Sequence, residues 1–142
     1  MIKQKYINFI KKCMKDKDKL FIELFEMSEH VRYIAVYDDG ALFMKQRDDI
    51  KNVSSNESDK YEELLVNPTL VKLASQRGNI DCGGLEYIII RYGNFFVLLT
   101  PCKNGHVNIG IEPDKNPFLF VEPLNGILRK YNMKMEKGES SL

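Results

Sequence analysis

Apolar residues recur along this chain at helical spacing in some stretches and at every second position in others, and the switches between the two periods mark its elements. From Ile2 to Met14 the residues Ile2, Tyr6, Phe9, Ile10, Cys13 and Met14 fall on one helical face, with Lys3, Lys5, Lys11 and Lys12 between them. The run Lys15–Lys19 then interrupts the period, and Leu20, Phe21, Leu24 and Phe25 resume it, with Asp18 as the expected N-cap of a second helix over about 19–28, whose continuity with the first stays open because Asp and Lys do not break helices by themselves. Val31–Tyr37 is β-branched and aromatic, Asp39-Gly40 is a strong hairpin step, and ALFMKQ after it fades into charge as an edge strand does. Residues 47–60 read as a polar loop. A helix beginning near Ser58 is reset at Asn67-Pro68, which predicts a bent or two-part helix ending at Gly78 as a C′ residue.

The stretch Gly84–Ile111 holds three short apolar runs separated by Gly93-Asn94 and by Lys103-Asn104-Gly105, the pattern of an antiparallel meander. In the first run Tyr87, Ile89 and Arg91 alternate with Ile88, Ile90 and Tyr92, so both sides are apolar and both require cover by helices or by a second subunit. Asn116-Pro117 then opens a closing helix carrying Phe118, Val121, Leu124, Ile127, Leu128 and Tyr131, in which Pro123 predicts a kink or a regular part that starts at Glu122. The resulting organisation is a basic amphipathic helix over 1–17, a domain over 18–131 and a polar tail over 132–142.

Composition narrows the class. The chain has 142 residues, 44% hydrophobic and 29% charged, with a net charge of +1, which suits one soluble domain with a single core. That charge gives no whole-molecule reason to expect nucleic-acid binding, although residues 1–20 hold seven lysines against two aspartates. The lysines also break every apolar run at the N-terminus, so no secretory signal, no membrane span and a cytoplasmic location are expected. Cys13, Cys82 and Cys102 have no paired short spacing, which argues for reduced thiols and against a disulfide framework or a zinc site.

Chemistry-bearing motifs are sparse. The chain has no phosphate-binding glycine loop, no paired-histidine zinc motif and no nucleophile elbow, so no enzyme activity, cofactor or metal is expected. His30 reads as a helix-end cation and His106 as a turn residue beside Asn104-Gly105. A Cys102–His106 nucleophilic pair would need a setting that lowers the thiol pKa. Asp38-Asp39 and Asp48-Asp49 fit turns and loops better than a calcium site. Tyr33, Tyr37, Tyr87, Tyr92, Phe95 and Phe96 fit a core or an interface better than an open base-stacking platform.

The hairpin VRYIAVYDDGALFM, the meander Gly84–Ile111 and the closing helix 117–131 resemble the roadblock/LC7 family over about residues 18–131. The resemblance implies an α+β, three-layer α/β/α domain of profilin-like architecture. Its five-stranded antiparallel sheet would have helices on both faces, in the order α-α-β-β-α-β-β-β-α. The same resemblance implies a non-catalytic module that forms a homodimer or pairs with an adaptor, and that regulates or scaffolds a small Ras-like GTPase. Carried onto this chain, the interface would involve Leu70, Leu73 and Arg77 on the middle helix and Tyr87, Ile89 and Arg91 on the third strand. A second expectation is a small-molecule-sensing domain of PAS-like or profilin-like architecture, with Tyr33, Tyr37, Tyr92 and Phe96 lining its pocket.

Overall fold

The computed structural model describes residues 2–136, excepting the side chains of Ile2, Tyr6 and residues 9–14. Asp39 and Gly40 both take positive φ, 52° and 83°, as a two-residue hairpin turn requires, and they join β1 (Val31–Asp38) to β2 (Ala41–Gln46). β3 (Ile88–Arg91), β4 (Phe96–Cys102) and β5 (Gly105–Ile111) form the meander. The sheet order is β2-β1-β5-β4-β3, antiparallel throughout, so β2 and β3 are its two edges. β1 pairs across the centre with β5, from Val31 opposite Ile111 to Asp38 opposite Gly105.

Helices cover both faces, giving an α+β, three-layer α/β/α domain. On one face Leu20 and Leu24 of α1 (Ile2–Glu26) and Leu124 and Leu128 of α4 (Val121–Lys130) pack on Ile34, Val36, Leu98, Val107, Ile109 and Ile111. On the other, α3 (Asn67–Asp81) sets Leu70 and Val71 against Ile88, Ile90, Val97 and Leu99. The two-faced cover that the meander demanded is thus supplied within one chain.

Three expectations need correction. The two N-terminal helices are one, because Lys and Asp do not terminate a helix by themselves: α1 runs through the Lys15–Lys19 stretch, and Asp18 is exposed mid-helix. The C-terminal carbonyls of α1 find their cation in Arg47, which donates from Nη2 to the carbonyls of Phe25 and Ser28 at 3.0 and 2.9 Å. The apolar stripe expected at Ile2, Tyr6, Phe9, Ile10, Cys13 and Met14 lies outside the described side chains.

Gly78 is not a C′ residue but sits buried inside α3, and a Cβ there would come within 3.0 Å of the Gly84 carbonyl carbon. It is needed for the close crossing of the 82–85 segment, whose Gly84 N–H donates to the Gly78 carbonyl at 3.1 Å. The segment expected as a tail also begins inside the fold. Met133 and Lys134 are buried, the Lys103 N–H donates to the Met133 carbonyl at 3.0 Å, and Lys134 forms a bridge with Cys102. The rest of that tail, 137–142, lies outside the described residues.

Pro123 is accommodated rather than kinked. Asn116 Oδ1 caps a 3₁₀ turn (Pro117–Phe120) by accepting from the Phe118 N–H at 3.0 Å, and α4 starts only at Val121, so Pro123 falls in its first turn.

Candidate functional site

The middle helix breaks where Pro68 has no N–H to offer. α2 (Asn56–Tyr61) passes into a single π turn (Glu62–Val66) before α3, and the Asn67 N–H closes that turn by donating to the Glu62 carbonyl, five residues back. The extra residue changes which side chains face the sheet. Glu63 turns fully inward at 0% exposure, Glu62 is half-buried, and Leu64 and Leu65 face outward.

Beneath the turn, the three positions of β5 that face α2 and α3 are His106, Asn108 and Gly110, alternating with Val107, Ile109 and Ile111 on the apolar side. Glu63 gathers them. Its Oε2 accepts from the Tyr33 hydroxyl at 2.9 Å and from Asn108 Nδ2 at 2.8 Å, and its Oε1 accepts from Asn67 Nδ2 at 2.7 Å. His106 Nε2 lies 2.9 Å from the same Oε1, in a pair with 2% and 0% side-chain exposure, and the His106 ring stacks on Tyr37 at 5.6 Å. Four donors therefore fill the acceptor positions of one carboxylate. Burial and the neighbouring Glu63 push the Tyr33 hydroxyl well above its ordinary range.

The network opens on one side into a cleft of about 380 Å³. Tyr33, Asp59, Tyr61, Glu62, Tyr92 and Phe95 are among the residues that line it. Asp59 is held by Ser54 Oγ at 2.6 Å and Gln46 Nε2 at 2.8 Å. Glu62 accepts from Asn108 Nδ2 at 3.1 Å and from the Tyr92 hydroxyl. Burial first, and then the charge of Glu63, push the Glu62 carboxyl up to about 7, so it exchanges its proton near neutrality. Arg32 also reaches the cleft, but its charge is spent: Nη1 meets both carboxylate oxygens of Glu112 at 3.2 Å, and Nη2 donates to the Lys51 and Asn52 carbonyls at 2.6 and 3.3 Å.

Of the aromatic residues expected around a pocket, Tyr33 and Tyr92 line this cleft together with Phe95. Tyr37 stacks on His106 instead, and Phe96 packs on the opposite face of the sheet. Cys102 and His106 point to opposite faces, and burial pushes the Cys102 thiol up to about 12, so the Cys-His pair does not form.

The residues expected at an interface separate into two sets. Tyr87 and Ile89 pack into the α1/α4 core, Tyr87 edge-on to Phe118 at 6.4 Å, and Arg91 stacks on Phe96 at 4.9 Å. Leu70 is half-buried beneath α3, whereas Leu73 is 61% exposed on its outer flank, as is Arg77, which pairs with Asp81 at 2.7 Å. Ile80, one helical repeat beyond Leu73 and overlooked in the sequence, is 76% exposed. Sequence reading also passed over Glu62 and Glu63, which look like a solvated helix face. The signal was the polar-apolar alternation His106, Asn108, Gly110 on a strand expected to be interior.

No protein family and no curated protein significantly matches this chain. Among the described residues no helix is long and apolar enough to cross a membrane, and no group of three or more His, Cys, Asp or Glu side chains is placed to hold a metal ion.

Proposed function

We propose that this chain is a non-catalytic interaction module that pairs with a second copy of itself through the free edge of β3 and the outer flank of α3. The carrying observation is that β3 is an apolar edge strand packed under α3, and that α3 exposes Leu73 and Ile80. Leu70, on the inner side of the same helix, packs with Ile88 and Ile90 of the strand. An unpaired apolar edge invites strand addition, and two large exposed aliphatics one helical repeat apart extend the contact. The resemblance to the roadblock/LC7 family supports the finer role, regulation or scaffolding of a small Ras-like GTPase in the cytoplasm.

Sedimentation equilibrium tests the pairing. The wild-type chain is expected to sediment as a dimer at micromolar concentration, and Leu73→Glu combined with Ile80→Glu to yield a monomer with an unchanged circular dichroism spectrum. A wild-type monomer throughout the concentration series overturns the proposal. Retention of small Ras-like GTPases on the immobilised wild-type chain, and not on the double variant, tests the finer role.

A second reading, a small-molecule-sensing domain of PAS-like or profilin-like architecture, is favoured by the cleft beside the π turn. Its volume lies within the range of small-ligand sites, and it combines aromatic walls with a few polar groups.

A further inference from the structure

The cleft beside the π turn is lined by two carboxylates, and the cation that lines it, Arg32, is engaged elsewhere. Asp59 and Glu62 face it and Glu63 lies directly behind, yet among the described residues no lysine or arginine stands within ion-pair distance of any of the three. His106 pairs with Glu63 at the inner end, and Arg32 is already matched by Glu112. Buried carboxylates without a cationic neighbour are costly even when hydrogen-bonded. Behind the cleft, Asn67 Oδ1 and Asn108 Oδ1 are buried and receive no hydrogen bond, although the Asn108 amide nitrogen serves both Glu62 and Glu63.

Aromatic rings line the cleft beside these carboxylates. Tyr92 and Phe95 meet edge to face at 5.6 Å, and Tyr61, 62% exposed, stands at the mouth. One face of Phe95 is taken by Arg32 at 5.3 Å, which leaves the tyrosine faces for a visitor. Carboxylates and aromatic rings lining one cleft are what an ammonium group on a flat apolar body meets favourably.

We propose that this cleft binds a small organic cation, a primary amine with an aromatic body, whose ammonium group sits between Glu62 and Asp59 and whose ring lies against Tyr92 and Tyr61. This inference rests on the ligand-sensing reading and is independent of dimer formation. A volume of about 380 Å³ admits a ligand of one or two rings and not a peptide. The ammonium group replaces the proton that Glu62 otherwise holds near neutral pH, so binding releases protons. The groups facing Glu62 in that exchange are Glu63 of the π turn, Asp59 of α2, and Tyr92 and Asn108 from the sheet side, with Tyr33 and His106 behind Glu63.

Phenethylamine and its neutral counterpart 2-phenylethanol, titrated into the full chain up to millimolar concentration and followed by amide chemical shifts and by calorimetry in two buffers of different ionisation enthalpy, test the proposal. Phenethylamine is expected to shift the amides of residues 59–62 and 92–95, to bind about tenfold or more tightly than the alcohol, and to release protons at pH 7. Glu62→Gln weakens amine binding by about tenfold or more and abolishes proton release, whereas Tyr61→Ala, at the exposed mouth, weakens it several-fold without altering the melting temperature. Equal affinity for amine and alcohol overturns the cation inference and leaves a neutral-ligand pocket standing. Binding of neither probe overturns the cation inference and the ligand-sensing reading together.

Discussion

On the α1/α4 side of the sheet, Leu20, Leu24, Leu124 and Leu128 meet the aliphatic side chains of β1, β4 and β5, and the contact is specified by volume alone. On the α2/α3 side, the same strands present Tyr33, His106 and Asn108 to a glutamate delivered by a π turn, and the contact is specified by partner and direction. A dry contact accepts neighbours of similar size. A buried polar network accepts few single deletions, because each lost partner strands the others away from water. The first face therefore tolerates changes that keep its volume, and the second sets which residues β5 can carry and leaves a chemically distinct cleft at its margin.

The largest expected effect comes from removing the centre of the polar face. Glu63→Ala leaves Tyr33, Asn67, His106 and Asn108 without their common acceptor and is expected to cost about 3–5 kcal/mol in urea unfolding. A cost under about 1 kcal/mol would mean that water replaces the carboxylate, and the contrast between the faces would collapse. On the dry face Leu24→Ala is expected to cost about 2–5 kcal/mol, while Leu24→Met stays below about 1.5 kcal/mol. Comparable losses for the two substitutions would contradict specification by volume.

The smallest effect depends on pH. The folded Glu62 carboxyl titrates near 7, above its ordinary 4.5, so the native state holds this proton more tightly than the unfolded chain does. Its contribution is fully present below the unfolded value and is lost as pH rises through the folded one. Glu62→Gln is therefore expected to flatten the decline in stability between about pH 5 and pH 8 and to leave the variant about 1–2 kcal/mol more stable than wild type at the upper end. Parallel stability profiles for the two proteins would place Glu62 in water.

The dry face was legible in the sequence because it follows from periodicity. Asp39-Gly40 announces the hairpin, the strand runs of the meander announce β3 to β5, and Leu124 and Leu128 fall on one helical face. The polar face was not, because Glu63 and His106 stand 43 positions apart and each looks ordinary in its own surroundings. Glu62-Glu63 resembles a solvated helical pair, and His106 follows a turn. Only the missing N–H of Pro68 hinted at irregularity, and it predicts a break without saying which residues the break turns inward. Ile80 went unnoticed for a related reason, since placing the end of α3 at Gly78 left it outside the helix.

The central position of β5 has a consequence for how the protein is made. β1 and β2 leave the ribosome early as a local hairpin, but the other edge of β1 has no partner until Gly105–Ile111 has been synthesised. The β4–β5 turn is in turn fastened by the returning chain at Met133. For most of its synthesis the nascent chain carries an open apolar strand edge, so chaperone dependence should track translation speed between β2 and β5 more closely than it tracks the stability of the finished domain.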